Sequence, residues 1–317
     1  MSYSSNTKNE LARIEGEQSC CVRAELAALI RMSGTLQLVG SQKLNIKVTT
    51  ENPAIARRLF KIIKKQYNIH AEVMIRRNAR LKKNNYYLLV ITHSMGSSEV
   101  LADLGIMKKV DDSFDITYRI PQELTQNRCC KRAYLRGAFL GGGSVSDPEK
   151  TYHLEFVTHH KELSEGLRDL INSFDLNAKV VERKGNYVVY LKEGDQVVDL
   201  LNIVGAHSAL LDLENIRVYK EMRNNVNRIV NCETANLSKT VDASIRQIQN
   251  IQYIEGSIGI NRLPDNLREV AELRVEYQDA TLKELGEMIN PPIGKSGVNH
   301  RLRKLDQIAD RERGKSI

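Results

Sequence analysis

The sequence is poor in the residues that build disulfide frameworks and metal sites. Its five cysteines form two adjacent pairs and a single residue, an odd number that suits a reducing cytoplasm. The zinc-binding spacings C-x-x-C, H-x-x-x-H and H-E-x-x-H do not occur. Neighbouring cysteines on a helix diverge by about 100°, so either pair alone is a poor chelate. We therefore expect no disulfide framework, no metal site and no cofactor.

Long apolar segments are also missing. The apolar runs are far shorter than the roughly 18 residues that a membrane-spanning helix needs. The first residues, MSYSSNTKNELARIEGEQ, are polar and contain no apolar core of a signal peptide. The sequence therefore predicts neither secretion nor membrane anchoring, and it predicts a flexible N-terminal arm over residues 1–18.

Negative charge is in deficit. The 47 Lys and Arg residues exceed the 39 Asp and Glu residues, which gives a formal net charge of +8 and a pI near 9.1. Such a balance favours an anionic partner, and nucleic acid is the commonest one for a soluble basic protein. A generally basic solvated surface is the alternative that charge alone leaves open. The 317 residues suit two or three domains.

The cysteine pairs mark an internal repeat. CCVRAEL begins at Cys20 and CCKRAYL at Cys129, 109 residues later, and five of the seven positions agree. The same offset places LAALIRMSGT (26–35) on LRGAFLGGGS (135–144). A duplicated domain is therefore predicted over residues 19–222, with halves of about 19–118 and 128–222.

Each half has the same predicted order of elements: helix, strand pair, helix, strand pair, helix. In the first half the segments after the opening helix are LNIKVTT, NPAIARRLFKIIKKQY, AEVMIRR, NYYLLVITH and SSEVLADLGI. In the second half they are YHLEFVTHH, KELSEGLRDLINSF, AKVVERK, NYVVYL and DQVVDLLNIVG. The fold class is therefore α+β, with two pseudo-symmetric halves.

Small residues recur four apart on the opening helices, at Ala24 and Ala28 in one and at Ala133, Gly137 and Gly141 in the other. This spacing puts them on one helix face, where two backbones can approach closely. We expect the glycines at 141–143 to serve this crossing and the turn that follows, with Gly143 in a left-handed conformation. A phosphate-binding loop is disfavoured because its glycines would precede a helix.

LRGAFLGGGS resembles the L-A-G-x-x-D-x-D-G-S motif of the LAGLIDADG homing endonucleases, and LAALIRMSGT resembles a degraded copy. In that family the two motif helices pack at a pseudo-dyad, and the eighth motif position supplies a metal-binding carboxylate. Here the eighth positions are Ser33 and Gly142, and the sixth are Arg31 and Leu140. No catalytic residue is therefore predicted, and we expect no divalent-metal-dependent cleavage of DNA.

The remaining chain is predicted to be helical. Residues 223–262 have Ile245, Ile248, Ile251 and Ile254 on one face and are predicted to form a helical linker. The alternative is that this stretch is the last helix of the first domain. Residues 263–317 are predicted to form a separate, all-α domain.

Three helices are predicted in this last domain, from PDNLREVAELRVEY, DATLKELGEMI and SGVNHRLRKLDQIAD. Thr281 and Glu284 match a capping box, and Ser296 is the expected cap of the third helix. That helix has an apolar stripe of Val298, Leu302, Leu305 and Ile308 beside a basic polar surface. This is the helix-turn-helix pattern, although the turn is longer than usual. A three-helix bundle with a merely solvated basic face is the alternative.

The third helix is the predicted recognition helix. Asn299 is suited to adenine, Arg301 or Arg303 to guanine, and Lys295 and Lys304 to phosphates. The predicted DNA-binding residues are Thr281, Lys295, Ser296, Asn299, His300, Arg301, Arg303 and Lys304.

A LAGLIDADG-like duplicate followed by a helix-turn-helix resembles the WhiA family of bacterial regulators, and NRIVNCETANLSKT (227–240) is similar to that family's sequence. The resemblance implies a DNA-binding transcriptional regulator of Gram-positive bacteria, linked to sporulation, cell division and chromosome segregation. Its implied partners are double-stranded DNA and other regulatory or cell-division proteins, and its implied location is the cytoplasm, at the nucleoid. The alternative function is a protein-interaction scaffold with incidental DNA binding.

A second basic surface is predicted in the first half of the duplicate. This auxiliary basic patch consists of Arg57, Arg58, Lys61, Lys64, Lys65, Arg76, Arg77, Arg80, Lys82 and Lys83. The matching stretch of the second half is more acidic, with Glu162, Glu165, Asp169, Asp175 and Glu182. Such asymmetry argues against a symmetric grip on DNA by both halves. We expect the patch to add phosphate contacts or to bind another partner.

Overall fold

The computed structural model describes residues 2–15, 18–40, 43–77, 85–110 and 113–315. The chain divides into two compact units, Met1–Lys220 and Glu221–Ile317. Within the described residues, no helix is both long enough and apolar enough to cross a membrane.

The first unit begins with a helix, α1 (Tyr3–Leu11). Leu11 is fully buried, the Tyr3 hydroxyl donates to the carbonyl of Ala209, and the Glu10 carboxylate accepts the amide of Ala209 at 3.1 Å. The prediction of a flexible arm is therefore wrong for this helix. The segment has few apolar residues, but contacts with distant residues hold both of its ends. A polar sequence gives no indication of such tertiary contacts.

Two repeats follow α1. The first consists of α2 (Ser19–Ser33), β1 (Gly34–Leu38), β2 (Leu44–Thr50), α3 (Pro53–Tyr67), β3 (Glu72–Arg77), β4 (Asn85–Ile91) and α4 (Ser97–Asp103). A hairpin of β5 (Met107–Val110) and β6 (Ser113–Ile116) comes next. The second repeat consists of α5 (Arg128–Gly142), β7 (Gly143–Val145), β8 (Leu154–Thr158), α6 (Lys161–Asn172), β9 (Lys179–Arg183), β10 (Asn186–Leu191) and α7 (Gly194–Val204). The first residues of α2 and α5 are 109 positions apart, and so are their last residues. The predicted repeat is therefore confirmed.

Each repeat forms one antiparallel four-stranded sheet, and the two sheets have the same topology. The strand orders are β1-β2-β4-β3 and β7-β8-β10-β9. One face of each sheet packs on the core: Ile46 and Leu89 in the first sheet and Phe156 and Val189 in the second are buried there. Because side chains alternate along a strand, the neighbouring residues form a second face, which we call the open face.

The glycine run of the motif leads into a strand rather than a turn. Gly143 has φ −84° and ψ 156°, which is extended backbone, so the predicted left-handed conformation is wrong. The chain passes directly from α5 into β7, and this path needs no positive φ. A side chain would still be excluded here, because a Cβ on Gly143 would lie 2.5 Å from Cδ2 of Phe139.

The predicted close crossing of the two opening helices is confirmed. A Cβ on Gly137 would lie 2.1 Å from the carbonyl oxygen of Glu25, and one on Gly141 would lie 2.7 Å from Cβ of Met32. Real Cβ contacts are essentially never this short. The small residues of α5 therefore allow the backbone of α2 to lie directly against it.

Gly137→Ala tests this crossing. The added methyl group meets backbone of α2 rather than a flexible side chain, so we expect the free energy of unfolding to fall by about 1–3 kcal/mol. Gly256→Ala is the control, because Gly256 lies in a helix and a Cβ placed on it would have nothing within 4 Å. There, alanine should stabilise by roughly 0.5–1 kcal/mol. Chemical denaturation measures both, and equal effects of the two substitutions would contradict the close approach.

The second unit contains most of the long helix α8 (His207–Ser257), together with α9 (Asp265–Glu276), α10 (Leu282–Met288) and α11 (Lys295–Lys315). Its core includes Ile251 and Ile254 from the end of α8, packed with Val270, Leu285 and Leu302. The last turns of the predicted linker therefore belong to this core and do not merely connect two domains.

Candidate nucleic-acid interface

The turn between α9 and α10 is held by a buried guanidinium. Arg274 is 3% exposed and donates to the carbonyl oxygens of Ala280 at 2.8 Å and of Gln278 at 3.4 Å. The Ser244 hydroxyl of α8 also donates to Gln278, at 2.7 Å. Burial lowers the pKa of Arg274 from its usual value. These contacts fix the point at which α10 begins.

The start of α10 has the predicted capping box. The Thr281 hydroxyl accepts the Glu284 amide at 3.3 Å, and the Glu284 carboxylate accepts the Thr281 amide at 2.7 Å. The hydrogen bond from this amide lowers the pKa of Glu284. Thr281 is exposed, so its predicted contact with DNA stays a prediction, and its hydroxyl already has a local partner.

Thr281→Ala should lower the stability of the second unit by about 1 kcal/mol, because the Glu284 amide of α10 loses the hydroxyl that accepts its hydrogen bond. Thermal unfolding measures this change, and Thr281→Ser is the control that keeps the hydroxyl. A lowered carboxylate pKa stabilises the fold above the unfolded-state pKa and is lost as the pH falls through the folded-state pKa. The alanine variant keeps the backbone amide of residue 281 that binds the Glu284 carboxylate, so this pH-dependent contribution should be largely common to both proteins. Equal stability of Thr281→Ala and wild type at neutral pH would contradict the capping role.

The turn between α10 and α11 covers residues 289–294 and is longer than the usual three to four residues, as predicted. It folds back on α10: the Ile293 amide donates to the Gly286 carbonyl at 3.0 Å. A Cβ on Gly286 would lie 2.2 Å from the Ile293 oxygen. Glycine is therefore required where the turn crosses α10.

Helix α11 begins at Lys295, one residue before the predicted start. Ser296 consequently lies inside the first turn and is not the cap. The buried stripe is Val298, Leu302, Leu305 and Ala309, whereas Ile308, which was predicted in it, is only half-buried. The side chains on the opposite face are exposed: Ser296, His300, Arg303, Lys304, Gln307 and Arg311.

Two predicted base-reading residues lie at the edges of α11 rather than on its exposed face. Arg301 donates to the Asn266 carbonyl at 3.2 Å and lies 3.8 Å from the Glu269 carboxylate, so it joins α11 to α9. Asn299 is half-buried. On α11, the exposed candidates among the predicted residues are Lys295, Ser296, His300, Arg303 and Lys304. Of the two arginines, only Arg303 has the exposure that a base contact needs.

Sequence reasoning missed Gln307 and Arg311, which continue the exposed face toward the C-terminus of α11. The signal was available, because both lie on the helix face opposite the apolar stripe. Ala309 was not recognised as a member of the buried stripe. Without it, the exposed face of α11 was defined only approximately.

The auxiliary basic patch is not one surface. Arg57, Lys61, Lys64 and Lys65 are exposed on α3, but Arg58 is buried and bound to Glu25, so its assignment to the patch is wrong. Arg76 and Arg77 are exposed on β3. Arg80, Lys82 and Lys83 lie outside the described residues.

Helix α3 and the strand residue Arg76 lie on different sides of the first sheet. Helix α3 packs its buried Leu59 and Ile63 in the core. Arg76 pairs with Tyr86, between the core-facing positions of β4, so it lies on the open face. The positive charges of α3 and of Arg76 therefore lie on different surfaces, whereas strand alternation places Arg77, which pairs with Asn85, on the core-facing side.

The charge asymmetry between the halves belongs mainly to the outer helices. Glu162, Glu165 and Asp169 all lie on α6, which corresponds to α3. By strand alternation, the described open face of the first sheet carries Lys47, Glu72 and Arg76, and that of the second carries Glu155, Lys179 and Arg183. Over the described residues the two open faces therefore carry similar charge. The expectation that the halves do not grip DNA symmetrically stays a prediction.

The degenerate nuclease positions are the last residues of their helices. Ser33 ends α2, where its hydroxyl donates to the Leu29 carbonyl at 2.8 Å, and Gly142 ends α5. Arg31, at the sixth position, is 3% exposed and donates to the carbonyls of Leu104 at 3.1 Å and Gly105 at 2.8 Å. Burial lowers the pKa of Arg31. Ser33 therefore has a structural partner at a position where the family's chemistry needs a carboxylate, and Arg31 has structural partners beside it.

One polar cluster lies on the open face of the second sheet. Glu155 accepts a hydrogen bond from the Ser144 hydroxyl at 3.2 Å, and the ring Nε2 of His153 lies 3.0 Å from its second oxygen. In a catalytic triad the histidine would lie between the serine and the carboxylate. Here the carboxylate lies between the other two, so the histidine does not contact the serine as a base.

Family models match both units of the chain. Residues 19–107 match the WhiA N-terminal LAGLIDADG-like domain, residues 131–223 the WhiA LAGLIDADG-like domain, and residues 226–309 the WhiA C-terminal HTH domain. A protein of Alkaliphilus oremlandii named probable cell division protein WhiA is 72% identical, with 98% of this chain and 97% of the relative covered. The chain belongs to the WhiA family.

Other WhiA relatives are similar in sequence to this chain over the same length. Proteins with the same name from Clostridium acetobutylicum and Clostridium botulinum are 57% and 56% identical, and each alignment covers 98% of both chains. The crystal structure of full-length WhiA from Thermotoga maritima is 26% identical, with a TM-score of 0.61 over 98% of this chain and 99% of that one. The α+β fold predicted from the sequence, a LAGLIDADG-like duplicate followed by a helix-turn-helix domain, is thereby confirmed.

Proposed function

We propose that this protein is a sequence-specific DNA-binding transcriptional regulator, and that its helix-turn-helix domain reads the DNA sequence. The exposed face of α11 is the observation that carries this proposal. From Lys295 to Lys304 the helix contains four basic residues, one histidine and no acid. In helix-turn-helix proteins the N-terminal residues of the second motif helix enter the major groove. Arg303 is the residue suited to guanine, while Lys295 and Lys304 are suited to phosphates.

The LAGLIDADG-like domain is proposed to be catalytically inactive and to serve as a scaffold or an auxiliary contact surface. Two-metal hydrolysis needs carboxylates that bridge metal ions, and Ser33 and Gly142 supply none. The names of the relatives support a role in cell division. Family membership supports roles in sporulation and chromosome segregation, and a cytoplasmic location at the nucleoid.

Purified protein with supercoiled plasmid and Mg²⁺ or Mn²⁺ tests the inactivity. We expect no increase in nicked or linear DNA over a protein-free control, because the motif helices lack both metal-binding acids. A LAGLIDADG nuclease with its own target plasmid is the positive control. Metal-dependent nicking at a defined site would overturn the assignment.

Sequence-specific binding is tested in two steps. Chromatin immunoprecipitation with sequencing identifies the occupied sites, and an electrophoretic shift with one such site then compares specific with non-specific competitor at rising salt. A regulator keeps its preference for the site, whereas binding that rests only on phosphates is lost for all sequences together. Loss of affinity in parallel for all sequences would contradict the proposal.

A protein-interaction scaffold is the second candidate, and one observation favours it. Along α8, large apolar side chains are exposed at Leu211, Val218, Tyr219, Met222, Val226, Ile229, Val230, Leu237, Val241 and Ile245. Exposed apolar surface of this extent often marks a contact with another protein. A Val226→Ser/Ile229→Ser variant that keeps all DNA binding but loses function in the cell would support the scaffold role.

A further inference from the structure

The four cysteines of the repeated motif converge at one end of the crossing helices. Cys20 and Cys21 lie in the first turn of α2, and Cys129 and Cys130 lie in the first turn of α5. The Sγ atoms of Cys20, Cys21 and Cys130 all lie within 4.8 Å of one another. The Sγ atom of Cys129 lies 4.0 Å from that of Cys130. Thiols that diverge within one helix thus meet across two helices.

These distances are close to those of a thiolate-bound cation. Zinc–sulfur bonds of about 2.3 Å in a tetrahedron place the sulfurs roughly 3.8 Å apart. Small side-chain rotations would close the remaining gap. A disulfide uses only two sulfurs, so the convergence of three or more favours a cation over a covalent bond.

The helix termini at the cluster favour anions, and a pocket connects the cluster to solvent. Both cysteine pairs lie at helix N-termini, whose partial positive charge stabilises anions. A pocket lined by Cys21, Cys129, Arg132 and Arg136 reaches the cluster from solvent. Because cysteine binds such cations as a thiolate, binding of a cation would release protons.

We propose that Cys20, Cys21, Cys129 and Cys130 bind one thiophilic d¹⁰ cation of the Zn²⁺ class, which clamps the first turns of α2 to α5. Four thiolates fill a tetrahedron and leave no open position, so the site is structural and not catalytic. It is also distinct from the degenerate nuclease centre. Cys20 and Ser33 are at opposite ends of α2, about 20 Å apart at 1.5 Å per residue. The sequence predicted no metal site because each pair was considered within its own helix.

Metal titration of the full-length protein, reduced with a phosphine under anaerobic conditions, tests the site. Zn²⁺ is added in competition with a chromogenic chelator, and bound metal is measured by elemental analysis after desalting. We expect one Zn²⁺ per chain, with release of protons. Bound Co²⁺ should give the visible absorption of a tetrahedral site and a sulfur-to-cobalt charge-transfer band. Zn²⁺ should also raise the unfolding temperature of the first unit.

Cys20→Ser and Cys130→Ser each remove one ligand, and we expect each to weaken Zn²⁺ binding by at least about 100-fold. Cys20 is exposed, so its variant should fold even where substitution of the buried Cys130 disturbs packing. Cys232→Ser is the matched control, because this cysteine is exposed on α8 and outside the cluster. It should bind Zn²⁺ as the wild type does.

Two results would overturn the proposal. One is Zn²⁺ and Cu⁺ affinities of the wild type no higher than those of Cys20→Ser. The other is a fresh, unreduced protein whose cluster cysteines are joined by disulfides, shown by mass spectrometry after alkylation, and which takes up neither cation once reduced. Tight binding of Cu⁺ but not Zn²⁺ would support the thiolate site and identify its cation.

Discussion

Glu25→Ala is expected to lower the free energy of unfolding of the first unit by about 3–5 kcal/mol. The Glu25 carboxylate is fully buried on α2 and bound to two guanidinium groups. It accepts hydrogen bonds from Nη2 of Arg58 at 2.6 Å and from Nε of Arg136 at 2.9 Å, and Nε of Arg58 donates to its other oxygen. The alanine variant leaves two nearly buried positive charges facing each other without this counter-ion.

Chemical denaturation measures this loss of unfolding free energy, and calorimetry provides a second measurement. The control is Glu162→Ala, which breaks an ion pair with Arg119 that is largely exposed, and it should cost at most about 1 kcal/mol. A triple variant, Glu25→Leu/Arg58→Met/Arg136→Met, removes all three charges together and should regain most of the stability that Glu25→Ala loses. Equal losses for Glu25→Ala and Glu162→Ala would contradict the buried network.

Arg303→Ala is expected to weaken binding to the preferred DNA site by about 1–3 kcal/mol, or roughly 5- to 150-fold, as for the loss of an arginine contact with a base edge. Its side chain is exposed near the start of α11, on the face opposite the buried stripe. Adding Lys304→Ala should weaken binding further and lower the salt dependence by about one charge, as expected for a lost phosphate contact.

Arg311→Ala is the matched control for this prediction. It removes the same side chain from the exposed surface of the same helix, but eight residues further along. That is about 12 Å at 1.5 Å per residue, beyond the N-terminal part that enters the groove. Quantitative electrophoretic shifts compare the DNA affinities of the wild type, Arg303→Ala and Arg311→Ala. Circular dichroism confirms that each protein is folded. If Arg311→Ala weakens binding as much as Arg303→Ala does, α11 does not bind DNA by its N-terminal half.

Arg301→Ala should behave differently from both. Because Arg301 is bound to the backbone of α9, its loss should reduce the stability of the domain as well as its affinity for DNA. The sequence favoured Arg301 and Arg303 equally, since both are basic residues on the same helix. Only the packing of α11 against α9 separates them.

The repeat, the order of its elements and the close helix crossing could be predicted because they rest on local signals. Five matching positions at an offset of 109 residues identified the duplication, and small residues four apart identified the contact face. The capping box at Thr281 was equally local. The N-terminal helix was not predictable, because it is stabilised by contacts with Ala209, almost the whole length of the first unit away.

Arg58 shows why the charged surface was harder to predict than the fold. In the sequence it stands beside Arg57 in a basic helix, although helical periodicity places Arg58 next to the apolar stripe of Ile55 and Ile62 and places Arg57 away from it. In the structure Arg57 is exposed, whereas Arg58 is turned inward to a carboxylate on another helix. Counting basic residues along the chain assigns both arginines to one surface, although only Arg57 is exposed to a partner.

The sequence by itself determined the family, the duplicated α+β architecture, the helix-turn-helix and the absence of both nuclease carboxylates. The family and the nuclease positions follow from the resemblance of the motifs, and the duplication follows from identical residues at a fixed offset. The helices follow from spacings of a few residues, which local backbone geometry translates directly into structure. The tertiary structure decided which basic residues are exposed, where Glu25 finds its two arginines, and that four distant thiols meet. Those features depend on how elements pack, and a contact between residues 109 positions apart leaves no local trace in the sequence.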